Sequence, residues 1–266
     1  MNGTQLYFKL IAVCIRGQMQ YRLSFFFQTL GQFLVTFSEF VVMWTLFQRF
    51  HQLGDWNFAE VAVFYGLVGV SFAIADSIST GFDRFGPMVR DGTFDRILLR
   101  PRSLILQIAG QDFTPKRIGR FIQAFVALIW GLSQLEVDLT VWRYGLIGAI
   151  VLSNVVVFVS LFLVQATISI WTIESLEAMN SLTYGGAEVA RYPMTIYSEW
   201  VRKLFTYIVP LACCSYFPVV ALLGQKDALG TGLAFQVCAP LLCIPFAVLC
   251  VQFWRFGVRH YTSTGS

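Results

Sequence analysis

The sequence predicts an all-α, polytopic membrane protein, and its composition is the first reason. Of its 266 residues, 56% are hydrophobic and 13% are charged, and the mean hydropathy is +0.65. Soluble domains carry about 25% charged residues, roughly twice this fraction. A soluble globular fold would therefore lack ionisable surface. Disorder is excluded because 26 phenylalanines and long aliphatic runs would collapse in water.

Long apolar segments are the second reason, since a transmembrane helix needs about 20 mostly apolar residues. Six segments meet this requirement and are predicted as spans within a domain of residues 24–266: Ser24–Phe47, Ala59–Thr80, Ile118–Val137, Val141–Ile170, Lys203–Leu223 and Leu233–Phe256. Residues 1–23 precede them and carry an apolar stripe at helical spacing beside Lys9 and Arg16. This pattern predicts a helix that lies on the membrane surface.

The distribution of charge predicts the orientation of these spans. The whole net charge of +4 resides in residues 81–120, which hold eight Lys and Arg against four Asp. If the N-terminus is cytoplasmic, 16 of the 19 basic residues fall on the inner side, as the positive-inside rule requires. We therefore expect both termini to be cytoplasmic, with inner loops at 81–117 and 171–202. So small a net charge does not indicate a nucleic-acid binder.

The first inner loop has the pattern of a docking helix. Its apolar residues recur at helical spacing and alternate with Asp–Arg pairs, with a break at Gly92. One interpretation is a solvated loop that contacts anionic lipid headgroups. The other is a cytoplasmic helix whose apolar anchors and flanking charges bind a soluble partner. The predicted docking residues are Phe85, Met88, Val89, Arg90, Asp91, Phe94, Asp95 and Arg100.

Within this loop lies a motif with a family resemblance. The pattern G-x-hydrophobic-D-x-x-L-x-R-P is carried by Gly92, Phe94, Asp95, Leu98, Arg100 and Pro101. It resembles the signature of ABC-2-type transporter permeases. Later stretches that resemble one branch of this family are Arg191–Tyr197, Val209–Leu211 and Tyr216–Pro218, with Phe217 where a second tyrosine is expected.

The resemblance implies a transmembrane permease subunit in a bacterial cytoplasmic membrane, with no enzymatic activity of its own. Such a subunit pairs with a second permease, identical or related. It contacts a separate nucleotide-binding subunit through a coupling helix in the first inner loop. ATP and Mg would then bind to that partner, and no cofactor is expected on this chain. In agreement, the sequence contains no G-x-x-x-x-G-K-[ST] motif for a P-loop.

Polar residues within the spans are candidates for a substrate pathway. Gln28, Gln32 and Glu39 share one face of the first predicted span, and Asn154 and Gln165 lie in the fourth. Such residues are either hydrogen-bonding contacts between helices or lining of a pathway. Glu39 in the second interpretation would attract a cationic substrate, with cation–π contacts from nearby aromatic rings.

Two further features concern charge and bending within the spans. Asp76, near the inner end of the second span, is expected to cap its helix or to pair with Arg84. Prolines in the last two spans remove backbone hydrogen bonds and predict kinks at Pro210, Pro218, Pro240 and Pro245.

Together these observations favour a subunit of an ATP-driven exporter of an amphipathic or hydrophobic compound, including cationic, drug-like ones. Two other classes stay open at this point. An integral membrane enzyme would need convergent ionisable residues near one membrane surface. An ion-coupled secondary transporter would be expected to show two related halves with matching broken spans.

Overall fold

The computed structural model describes residues 3–112, 116–135, 140–172 and 176–262, and the regular structure in these ranges is helical apart from one isolated bridge between Leu53 and Trp56. The α-helices are α1 (Gly3–Met19), α2 (Arg22–Phe50), α3 (Phe58–Ile78), α4 (Thr80–Asp83), α5 (Phe85–Arg90), α6 (Thr93–Leu98), α7 (Leu104–Ala109), α8 (Lys116–Gln134), α9 (Val141–Ile168), α10 (Leu176–Ala190), α11 (Glu199–Lys203), α12 (Leu211–Cys214), α13 (Tyr216–Leu223), α14 (Leu233–Cys238) and α15 (Cys243–Arg259). A π-helical turn at Leu204–Ile208 and 3-10 turns at Met194–Ile196 and Ala239–Leu242 complete the regular structure of these ranges. The predicted all-α class is confirmed.

Four helical segments in these ranges are long and apolar enough to cross a membrane: α2, α3, α9 and the continuous segment Leu233–Arg259. They coincide with the first, second, fourth and sixth predicted spans. The third predicted span forms α8, whose first turns carry Arg117 and Arg120, and α8 is not among the segments that meet this criterion. Its predicted end at Val137 lies outside the described residues.

The long helices form a bundle with two ends, and each end is named after the residues that lie there. The basic end holds α1 and the charged loop 79–112, and the far end holds the turn between α2 and α3. α8 packs closely against both of these helices, with Gly119 against the backbone of Thr29 and Gly131 against that of Ala59. Small residues at such points allow helix backbones to approach. α8 therefore runs parallel to α2, from the basic end to the far end.

α10 also begins at the basic end. The side-chain amide N–H group of Gln165, near the end of α9, donates to the side-chain oxygen of Asn180 in α10 at 3.0 Å and to the Asp83 carboxylate of the charged loop at 3.3 Å. The Thr183 hydroxyl donates to the other amide atom of Gln165, its oxygen, at 3.3 Å. One turn further along, the Tyr184 ring packs edge-on against Phe72 in the middle of the bundle.

The chain that follows α10 reaches the far end. Arg191 lies 3.3 Å from Glu39, in the second half of α2. Four residues later, the Thr195 hydroxyl accepts a hydrogen bond of 3.1 Å from the indole N–H of Trp56, in the turn between α2 and α3. α10 and residues 191–195 together therefore run the whole length of the bundle.

The predicted fifth span is not one straight helix. Glu199–Ile208 and Leu211–Leu223 meet at an angle of 76° beside Pro210. The bend lies in the middle of the bundle, where Phe205 and Leu211 pack against Gly186 of α10. The chain then returns to the far end, where Gly224 lies beside Arg143 at the start of α9.

Within the stretch predicted as the second inner loop, α10 and residues 191–195 thus lie along the bundle, and the predicted fifth span, Lys203–Leu223, contains the 76° bend. Residues 209–222 are largely apolar and buried among other helices, including every residue of α12, whereas Tyr207 and Ile208 before the bend are exposed. α10 has only 15 residues, including Asn180 and two glycines, so a 20-residue apolar window misses it. The predicted break at Pro210 is confirmed. Arg202 and Lys203 move to the far end, and Arg191 is buried between the two ends against Glu39. Of the 19 basic residues, 13 remain at the basic end and five lie at the far end.

The far-end loop after α13 is closed by one aspartate. Asp227 accepts hydrogen bonds from the Tyr216 hydroxyl at 2.8 Å and from the backbone N–H groups of Leu229 and Thr231 at 3.0 and 3.1 Å. Burial acts to raise the pKa of Asp227, but these bonds and that of the Thr231 hydroxyl outweigh it, so the pKa lies below its usual value. The carboxylate thereby holds the loop in the conformation that leads the chain from α13 into α14.

Candidate functional site

The charged loop at the basic end is built on an aromatic cluster. The rings of Phe85 in α5 and Phe94 in α6 pack edge-on at 4.8 Å, and both side chains are fully buried. Trp254 of α15 lies 5.4 Å from the Phe85 ring, and Tyr261 lies 4.9 Å from the Phe94 ring. Four aromatic side chains thus bind the two short loop helices to the last helix of the chain.

This packing changes the predicted docking surface. Phe85, Val89 and Phe94 were expected to point towards a partner, but they are 0%, 3% and 0% exposed. The apolar stripe of the loop faces the chain's own core, so these three side chains do not form an exposed anchor in this structure. Helical periodicity identifies an apolar face without indicating what covers it.

The outward face of the same loop combines charge with exposed leucines. We use the term docking face for the exposed residues Pro87, Arg90, Asp91, Leu98 and Leu99. The Leu99 side chain is 86% exposed, although it is large and apolar. The sequence did indicate that some apolar residues of this loop are exposed, because Ile97, Leu98 and Leu99 are consecutive and a helix cannot bury all three on one face.

The other predicted docking residues lie around this face. Met88 and Asp95 are half-buried at its edge. Arg100 is exposed but lies beside α1, where it lines a separate cavity with Arg102.

A buried ion pair fixes the loop to the bundle. Asp76, near the end of α3, lies 2.7 Å from Arg117 and 3.5 Å from Arg120 of α8, and Asp76 and Arg117 are each 4% exposed. Arg117 also donates to the Thr80 hydroxyl at the start of the loop. The expected pairing of Asp76 with Arg84 is wrong, because Arg84 pairs with Asp112.

Two predicted pathway residues belong to packing contacts. Asn154 is fully buried and donates to the backbone carbonyls of Ile150 and Cys214, each at 2.9 Å. Gln165 is 1% exposed and joins Asp83 to α10 through the hydrogen bonds described above. Both side chains hold helices together, and neither is exposed to a path through the protein in this structure.

The remaining predicted pathway residues follow the outer face of α2. Gln28 is exposed and donates to the Ser24 hydroxyl at 3.1 Å, and Gln32 is half-buried. The Glu39 side chain is 46% exposed. This stripe lies on a helix whose apolar residues are also largely exposed, including Leu34, Val42 and Trp44.

Glu39 belongs to a three-residue charge cluster. The Arg191 guanidinium is 4% exposed and contacts two carboxylates, Glu39 at 3.3 Å and Glu188 at 2.7 Å. It also lies over the Tyr65 ring, 4.9 Å from the centroid. Two carboxylates against one guanidinium give the cluster an excess of one negative charge.

An apolar cavity of about 370 Å³ adjoins this cluster. Its walls come from α2 one to three turns beyond Glu39, including Met43, Phe47 and Phe50, from residues 52 and 53 of the turn that follows, and from Tyr192, the neighbour of Arg191. An excess negative charge beside an apolar cavity favours a lipophilic cation over an anion. Among the described residues, no group of three or more His, Cys, Asp or Glu side chains is placed to hold a metal ion.

These features define a class: a multi-pass helical membrane protein with a firmly anchored polar loop at one end and a charge cluster between its helices. Comparison with protein families gives the specific assignment. A family model described as "ABC-2 family transporter protein" matches residues 33–265. The chain therefore belongs to the ABC-2 transporter family and is an ABC transporter membrane permease. Comparisons with curated proteins and with solved structures give no match.

Proposed function

We propose that this permease is the membrane subunit of an ATP-driven exporter and is energised by a separate nucleotide-binding subunit that binds the docking face. The observation that supports this proposal is the docking face itself, where Leu98 and Leu99 are exposed beside the charges of Arg90 and Asp91. The loop that carries these residues packs on a buried aromatic cluster. Exposed apolar anchors flanked by charges are typical of surfaces that bind a partner. ATP and Mg bind to that partner in this proposal.

Two connections would carry a displacement of the docking face into the membrane. The ring contact of Phe85 with Trp254 joins the loop to α15, and the Asp76–Arg117 pair joins it to α3 and α8. Closely packed elements move together rather than deform. A push by the ATPase at the basic end would therefore shift three helices relative to the rest of the bundle.

The orientation in this proposal places the basic end in the cytoplasm. Thirteen basic residues lie at this end against five at the far end, which agrees with the positive-inside rule. Both ends of the described chain lie there, since Tyr7 donates to the carbonyl of Ile78 and Tyr261 contacts Phe94. Both termini are cytoplasmic, and α10 together with residues 191–195 serves as the fifth of six spans in the cytoplasmic membrane of a bacterium.

Docking is tested by changing the docking face at two positions. We expect the double variant Arg90→Glu, Leu99→Asp to lose its ATPase subunit on purification, with affinity about tenfold or more weaker, because central apolar anchors dominate binding energy. Co-purification and stimulation of ATP hydrolysis in proteoliposomes are the measurements.

The matched control places the same changes elsewhere. Val141 is also 86% exposed, at the far end, and Arg16 is exposed on α1 at the basic end. The variant Arg16→Glu, Val141→Asp should retain the ATPase. If the docking-face variant retains and stimulates it equally well, the proposed docking face is wrong.

The charge cluster supports a lipophilic monocation as the substrate of this exporter. The excess negative charge of Glu39, Glu188 and Arg191 would pair with the cation, and the cavity beside Phe47 would take its apolar body. Glu39 is costly in lipid, so a second permease subunit, identical or related, covers the exposed face of α2 in the assembly.

A substitution that keeps the shape of Glu39 tests this substrate class. We expect Glu39→Gln to weaken binding of tetraphenylphosphonium by about tenfold, because the cluster becomes neutral, and to leave binding of the neutral triphenylphosphine oxide unchanged. Tryptophan fluorescence titration of the purified complex measures both ligands.

Glu199→Gln provides the control, since that carboxylate forms a surface pair with Lys203 at 2.7 Å and lies away from the cavity. Equal loss in both variants, or no loss at Glu39, would contradict a cation site at the cluster.

A further inference from the structure

A second cavity, of about 650 Å³, lies between α1 and the charged loop at the basic end. Its α1 wall includes Leu10 and Val13, and its loop wall includes Arg100, Arg102 and Gln107. One side is thus apolar and the other carries two guanidinium groups. Neither the docking face nor the charge cluster beneath α2 uses this cavity.

The position of the cavity is fixed by contacts on both sides. The Cys14 thiol donates to the backbone carbonyl of Gln111 at 3.6 Å, and the Tyr7 hydroxyl donates to the carbonyl of Ile78 at 3.2 Å. α1 also exposes apolar side chains next to the cavity, with Val13 66% exposed. An amphipathic helix of this kind lies at the boundary of headgroups and acyl chains. The cavity therefore opens at the membrane surface.

Gln107 supplies an independent observation. It is 2% exposed, its amide N–H donates to the Arg102 carbonyl at 3.2 Å, and its side-chain oxygen is buried with no hydrogen-bond partner. A buried acceptor without a donor is costly, so a ligand that donates a hydroxyl at this point would be stabilised. Because Gln107 lines the cavity, its unsatisfied side-chain oxygen favours a ligand that carries a hydroxyl group.

We propose that the cavity binds one anionic glycerophospholipid whose headgroup carries a hydroxyl, of the phosphatidylglycerol type. Arg100 and Arg102 would bind the phosphodiester, since guanidinium groups match phosphate oxygens in charge and geometry. The headgroup hydroxyl would donate to Gln107, and the glycerol and upper acyl chain would pack on Leu10 and Val13. Anionic lipids attract basic residues to the membrane surface, which favours this occupant.

Binding is tested on the full chain, purified with the subunits that accompany it and analysed by native mass spectrometry and thermal denaturation. The probes are phosphatidylglycerol, phosphatidylcholine with the same acyl chains, and soluble glycerol 3-phosphate. We expect one phosphatidylglycerol per chain and a clear rise in Tm with this lipid only. The variant Arg100→Gln, Arg102→Gln should bind it about tenfold or more weakly, whereas Arg16→Gln, Arg96→Gln removes two exposed charges at the same end and should bind normally.

Two further variants keep the test decisive if the double arginine variant does not fold. Val13→Trp fills the cavity from α1 and leaves every charge in place, and Gln107→Leu removes the buried acceptor. Both should lose the lipid-dependent rise in Tm. Unchanged binding in all cavity variants would overturn the proposal, as would equal stabilisation by phosphatidylcholine. Stabilisation by glycerol 3-phosphate alone would assign the cavity to a soluble phosphate compound instead of a lipid. ATPase co-purification, measured in parallel, separates this result from the docking proposal.

Discussion

Asp76→Ala is expected to lower the free energy of unfolding by about 3–5 kcal/mol, which is the usual cost of leaving a buried charge without its partner. Arg117 is 4% exposed and lies 2.7 Å from the Asp76 carboxylate, so it has no access to water when that carboxylate is removed. Arg120 lies 3.5 Å from the same carboxylate and is 19% exposed, so it can turn towards solvent. Unfolding in mixed detergent micelles, followed by circular dichroism, measures the loss.

A double replacement separates burial of charge from loss of contact. Asp76→Leu with Arg117→Met removes both charges and keeps most of the volume, so it should be less destabilised than Asp76→Ala alone. Asp55→Ala is the control, since Asp55 is exposed in the far-end turn. A single variant as stable as this control would show that the buried pair contributes nothing to stability.

Gly81→Ala is expected to displace the charged loop and to abolish coupling to the ATPase while the long helices persist. A methyl group at this position would lie 2.6 Å from the carbonyl carbon of Ile108 and closer still to its oxygen. Both are backbone atoms of α7, so no side-chain rotation relieves the clash and α4 must separate from α7. Overpacking of this kind costs about 1–3 kcal/mol or more. Loss of ATPase stimulation, with unchanged helical circular dichroism, is the expected result.

Gly148→Ala is the matched control, because nothing lies within 4 Å of the position that its methyl group would take. Alanine is also the better helix former by about 0.5–1 kcal/mol, so this variant should be equally or more stable. If Gly81→Ala couples as well as Gly148→Ala, close contact between α4 and α7 is not needed to hold the docking face.

The docking region shows which parts of a site a sequence can indicate. Charge and the family motif direct the docking hypothesis to residues 81–103, because both are properties of a local stretch. The direction of the side chains was reversed: Phe85 and Phe94 face inwards and Leu99 faces outwards. An amphipathic helix has one apolar face, and whether that face meets a partner or the chain's own core depends on Trp254 and Tyr261, more than 150 residues away.

The charge cluster and the ion pair show the same limit. Glu39 and Asp76 stood out in the sequence as charges within apolar segments, and the structure gives each of them an ionic partner. Their partners could not be inferred, since Arg191 is 152 residues from Glu39 and Arg117 is 41 residues from Asp76. Many basic residues were compatible with each acid until the packing of the helices brought one of them within reach.

The sequence by itself determined the class of this protein: helical, membrane-embedded, basic at one end and similar to ABC-2 permeases. Each of these follows from composition, from apolar runs of the length of a bilayer, or from a local motif. Only the tertiary structure decided that α10 and residues 191–195 run the length of the bundle, that residues 199–223 turn back at Pro210, and which face of the charged loop is exposed. Hydropathy is summed along the chain and has no direction, so it cannot distinguish a segment buried by lipid from one buried by neighbouring helices.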